Sequence, residues 1–128
     1  MMKFLLGLLG FKSRSNFKKV DWLAVDVKLR QFNQMSLSAD QATKKQLLIQ
    51  ADNLVDQILK QSSTRGQTMG ERLKALRSIL PSKLYSRLWQ AHIKRNELVH
   101  ESDSFVADWE IQKHLQSFKE AIEYLRGR

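Results

Sequence analysis

Cysteine is absent from this chain, which removes disulfide frameworks, thiolate nucleophiles, redox thiols and Cys-ligated zinc sites from consideration. Long apolar runs are lacking too. The run FLLGLLGF at residues 4–11 has eight residues, against the roughly 20 needed to cross a bilayer. Lys12, Arg14, Lys18 and Lys19 follow it where a secretory signal would carry a small-residue cleavage region, so export is not expected and the reading is of a cytoplasmic protein. Glycine-rich phosphate loops and a His-Glu-x-x-His pair are missing, and His92 and His100 stand eight apart, a poor start for a zinc site. No metal or cofactor is expected. Strict alternation of apolar and polar residues is confined to the ambiguous stretch 20–27, which leaves little support for β structure.

What is present suffices for one domain. A chain of 128 residues that is 42% hydrophobic can bury roughly two thirds of its unfolded surface around a single core. Residues 1–19 read as a basic and apolar extension, and residues 20–128 as the folded domain. The apolar run and the cations after it are the sole argument for a membrane-surface role.

The net charge of +9 is distributed unevenly. Seven cations face two carboxylates in residues 1–30, five face one in residues 60–81, and four face one in residues 82–100. Such an excess attracts polyanions, nucleic acid above all, through a long-range field that salt weakens.

Helical periodicity covers most of the rest and predicts five segments. Trp22, Val25, Leu29 and Phe32 line one face of a helix over 21–35. Ser38, as N-cap, opens a long second helix to residue 61, with a stripe of Leu47, Leu48, Ala51, Leu54, Val55, Ile58 and Leu59. After the linker SSTRGQTMG, Thr68 and Glu71 have capping-box spacing and open a short helix through Leu73, Leu76, Ile79 and Leu80, which Pro81 stops. A fourth helix starts near Ser82, and a fifth follows Asp108 as N-cap, with Ile111, Leu115, Phe118, Ile122 and Leu125 on one face. Amphipathic helices joined by short loops bury their stripes against one another, so the expected fold is an all-α, antiparallel bundle of four to five helices.

The fourth helix holds RNELVH at residues 95–100. At 100° per residue, Leu88, Ala91, Arg95 and Leu98 all fall within about 40° of Leu84, so Arg95 stands in the packing seam. A cation there needs a partner, another chain or a ligand, because an unpaired buried charge costs several kcal/mol. His100 lies about 140° away on an ideal helix, so the two meet only if the helix unwinds near Val99 or a second copy faces the first. Asn96, four residues before His100, shares its face and is placed to orient the imidazole. The spacing alone is not specific, since Arg87 and His92 repeat it.

The stretch AHIKRNELVHES, on the next-to-last helix of a small all-α domain, resembles the HEPN superfamily (higher eukaryotes and prokaryotes nucleotide-binding domain). Its signature is an arginine, a polar residue, a few mostly apolar residues and a histidine. The resemblance covers residues 20–126. It implies a bundle that dimerises with two motifs facing each other across a cleft. In many members it also implies a metal-independent endoribonuclease of toxin, antiviral or RNA-processing type, with RNA and a cognate antitoxin or other protein as partners. Residue by residue, Arg95 and His100 match the two defining positions and Asn96 the polar one.

The chemistry fits those residue types. Metal-free RNA cleavage needs a base for the 2′-hydroxyl proton, an acid for the leaving 5′-oxygen and cationic donors for the phosphorane. Histidine suits proton transfer near neutral pH, and arginine offers phosphate a charged planar fork. The main rival is a HEPN-like module that binds RNA or protein without cutting, in which Arg95 would donate to helix carbonyls and His100 would cap. Trp22, Trp89 and Trp109 read as core residues, and His114 as a surface or boundary residue.

Overall fold

The computed structural model describes residues 15–128 except Ala39 and Ser102. The apolar run at 4–11, with the membrane-surface reading that rests on it, lies outside the described residues. Among the described residues the chain is all-helical: α1 Trp22–Met35, α2 Gln41–Gln61, α3 Met69–Ala75, α4 Ser82–His100 and α5 Asp108–Arg126. Short 3-10 turns at Phe17–Lys19 and Leu76–Ser78 precede α1 and follow α3. No helix among these residues is long and apolar enough to cross a membrane.

The helices start where local chemistry supplies acceptors for their free N–H groups. Asp21 accepts from Ala24 N at 3.1 Å and opens α1, so the ambiguous residues 20–27 are mostly helical. Asp40, rather than Ser38, caps α2, accepting from Thr43 N and Thr43 Oγ1; Ser38 Oγ instead accepts from Asp40 N. Thr68 caps α3 as its spacing predicts, but Glu71 accepts from Gln67 N rather than closing the box on Thr68. Ala107, rather than Asp108, is the N-cap of α5, with the Glu110 carboxylate accepting from Ala107 N at 3.2 Å. Asp108 is drawn away by an ion pair with Lys44 of α2.

Helix α2 is the hub, packing against α1, α4 and α5, while α4 and α5 pack on each other. The short connections at 36–40 and 101–107 force each sequential pair to run antiparallel, giving an all-α helical bundle. Phe32, Leu47, Leu48, Leu59, Phe118 and Ile122 are among the fully buried side chains. The packed chain begins before residue 20: Phe17 is buried, Asn16 N donates to Ser62 O, and the Trp22 indole donates to Phe17 O. Of the tryptophans, Trp22 and Trp89 pack against the core. Trp109 is exposed instead, because it lies off the buried face of α5 that Ile111, Leu115 and Phe118 define.

Candidate functional site

The apolar stripe of α2 contains one carboxylate. Asp52 lies four residues after Leu48 and three before Val55, and its side chain is fully buried against α4. Two groups of α4 meet it. His92, itself buried, places Nδ1 2.9 Å from Asp52 Oδ1. Arg95 brings Nε within 3.3 Å of Asp52 Oδ2, with 26% of its side chain exposed. That second approach is an ion pair without hydrogen-bond alignment.

Further bonds tie these groups together. Arg95 Nη1 donates to Asn96 Oδ1 and Nη2 to Asn53 Oδ1, both at 3.1 Å. Asn96 Nδ2 lies 3.5 Å from His92 Nε2, at the long limit of a hydrogen bond. Trp89 sets its ring edge-on to His92, with centroids 5.8 Å apart. Burial pushes the Asp52 carboxyl above the usual carboxylate range, and the hydrogen bond and charge of His92, then the Arg95 guanidinium, pull the other way.

Of the three residues singled out by RNELVH, the fold brings Arg95 and Asn96 together and leaves His100 apart. Arg95 stands in the seam as its position predicts, and its partner is Asp52. Asn96 does not orient His100; it bridges Arg95 and His92. Helix α4 stays regular through His100, whose neighbour Glu101 donates its N–H to Glu97 O at 2.7 Å. No unwinding therefore carries His100 toward Arg95. His100 is exposed at the helix end. Nor does Arg95 donate to helix carbonyls: its acceptors are side chains.

Asp52, Asn53 and His92 belong to this cluster although the motif does not mark them. The readable signal for Asp52 was a carboxylate on an apolar stripe, which is expensive to bury without a cation. For His92 it was the i, i+4 spacing to Asn96 on one ridge.

No protein-family model, curated protein or solved structure matches the chain. Its chemistry must be read from its own residues.

A second polar group lies on the other side of α4. Lys94 Nζ is 3.3 Å from Glu110 Oε2 and 3.6 Å from Glu97 Oε1. His114, expected near the surface, is buried, because α4 covers the face of α5 that carries it. Burial first, then the charges of Lys113 and Lys94, hold its pKa below the ordinary 6.5. Among the described residues, no three of the His, Asp and Glu side chains gather as a metal-ligand set.

Proposed function

We propose that this chain is a HEPN-like, RNA-directed domain acting in the cytoplasm as a homodimer, and that it cleaves RNA without a metal. One observation carries the reading. On α4, an arginine anchored by a carboxylate and two amides keeps a quarter of its side chain exposed, five residues before a histidine that is open to solvent. The surplus of nine positive charges supplies the attraction for a polyanion.

In the proposed reaction the RNA 2′-oxygen attacks the adjacent phosphorus, its proton passes to a base, and the P–O5′ bond breaks as an acid protonates the leaving oxygen. The products are a 2′,3′-cyclic phosphate and a 5′-hydroxyl. His100 is the proton-transfer group and Arg95 the hydrogen-bond donor to the phosphate oxygens. Within one helix these groups diverge by about 140°, so the reaction calls for two copies, each lending its motif to a shared cleft. A cognate antitoxin or other protein partner belongs to the same proposal.

A second reading has its own support. Three of the Arg95 nitrogens already face Asp52, Asn53 and Asn96, which suits a clamp between α2 and α4 in a module that binds without cutting. Incubation of the purified protein with single-stranded and structured RNA in EDTA separates the two. We expect cleavage by the wild type, a loss of about 100-fold or more in His100→Ala, and a comparable loss in Arg95→Lys, which keeps the charge but not the fork. Circular dichroism checks that both variants are folded. RNA left equally intact by all three proteins would remove the nuclease reading; RNA bound but uncut would favour the module.

A further inference from the structure

The bonds around Asp52 close into a ring with a single direction. An ionised carboxylate can only accept, so His92 carries its proton on Nδ1 and donates it to Asp52 Oδ1 at 2.9 Å. In the tautomer that carries its proton on Nδ1, Nε2 is an acceptor, and it faces Asn96 Nδ2 at 3.5 Å. That fixes the amide: its Oδ1 faces Arg95 and accepts from Nη1 at 3.1 Å. Arg95 Nε, held at 3.3 Å, returns to Asp52 Oδ2. That last contact is an ion pair, not an aligned hydrogen bond; in the three contacts before it each donor meets an acceptor, and reversing any one member would set two donors or two acceptors face to face.

We infer that Asp52 is a positioning residue: from α2, and through His92 and Asn96, it sets the orientation of the Arg95 guanidinium. The consequence is geometric. Of the five N–H groups of an arginine, Nε is turned to Asp52, one Nη1 hydrogen to Asn96 and one Nη2 hydrogen to Asn53. One hydrogen on each terminal nitrogen is left, and the side chain is a quarter exposed. A guanidinium so held keeps its remaining donors in fixed positions, which favours binding to a phosphate oxygen. Asp52, fully buried, does not itself reach a ligand. The use of those two donors on RNA phosphate rests on the function proposed above; the orienting of Arg95 by Asp52 does not.

Asp52→Asn is the informative change, because it is isosteric. The new amide can still accept from His92 through its oxygen, but its NH2 then confronts Arg95 Nε, so the ion pair becomes a clash of donors and the guanidinium is freed. Two measurements are made on the folded wild type, Asp52→Asn, Arg95→Ala and the double variant. The first is the 15N spectrum of the arginine Nε–H and imidazole groups. We expect a slowly exchanging Arg95 Nε–H and an Nδ1-protonated His92 in the wild type, and rapid exchange of Arg95 in Asp52→Asn. The second is RNA affinity by fluorescence anisotropy at fixed salt. Asp52→Asn should weaken binding by about tenfold or more, the usual size of loss when a supporting partner of a site residue is removed, and the double variant should be no weaker than Arg95→Ala.

An Arg95 Nε–H signal that is unchanged in Asp52→Asn overturns the inference. So does undiminished RNA affinity in Asp52→Asn where Arg95→Ala binds weakly. If neither variant alters RNA binding but the Arg95 signal is lost in Asp52→Asn, Asp52 still orients the arginine and the RNA-directed function is what fails.

Discussion

Two buried histidines show how differently one residue type can be satisfied. His92 has a carboxylate on one nitrogen and an amide near the other, whereas His114 Nδ1 is buried with no hydrogen-bond partner. With its pKa lowered in the folded state by burial, His114 resists the proton that the unfolded chain accepts near 6.5. Below that pH the unfolded state therefore binds more protons, and stability falls as pH drops from about 6.5 toward the depressed value. Urea unfolding of the wild type at pH 7 and pH 5 should show this loss, and His114→Leu should show a smaller one. An equal pH dependence in both proteins would assign the loss to other groups. His114 read as a surface or boundary residue from its sequence context alone, because burial is decided by the helix that packs above, not by the residue's own neighbours.

At the level of the element, the start of α3 is the most constrained join. Gly66 has φ +135°, and a Cβ there would lie 2.7 Å from Arg72 N and 2.9 Å from the Glu71 carbonyl carbon. Its carbonyl also accepts from Arg72 Nη1 at 3.1 Å, while Arg72 Nε and Nη2 grip both oxygens of Asp56 on α2. Gly66→Ala should therefore cost at least about 1–3 kcal/mol in backbone strain alone, with a further loss from displacing Arg72, and thermal melting would read it. An unchanged melting temperature would contradict the strain. The extents of α1, α2, α4 and α5 were legible from periodicity, and the cap of α3 falls on Thr68 as expected. The caps of α2 and α5 were less legible. Ser38 and Asp40, or Asp108 and Glu110, compete locally as acceptors, and the Lys44 pairing that occupies Asp108 comes from another helix. Likewise Ile79 and Leu80 lie beyond α3, since a 3-10 turn at Leu76–Ser78 ends it ahead of Pro81.

For the whole molecule, the separation of Arg95 from His100 makes oligomeric state the critical quantity. If the two groups act in one reaction, they act across copies. Analytical ultracentrifugation over a concentration series should then show a dimer, and mixing inactive Arg95→Lys with inactive His100→Ala should restore part of the cleavage by forming hybrid sites. A strictly monomeric protein that still cuts RNA would rule out the two-copy cleft. Ile93, just before the motif, and Val99, within it, are exposed on α4.

By itself the sequence determined that this chain is one all-helical bundle with Arg95 in a packing seam, because apolar periodicity is a local property that survives without knowledge of neighbours. What covers that seam was decided only by tertiary structure. Asp52 and Arg95 are 43 positions apart in the chain, and nothing local indicates that α2 turns its one buried carboxylate toward α4. The pairing follows from the cost of burying a charge alone: once the stripes of α2 and α4 are pressed together, carboxylate and guanidinium must face each other or remain unpaired. The same packing turned Asn96 inward to His92 and left His100 outside.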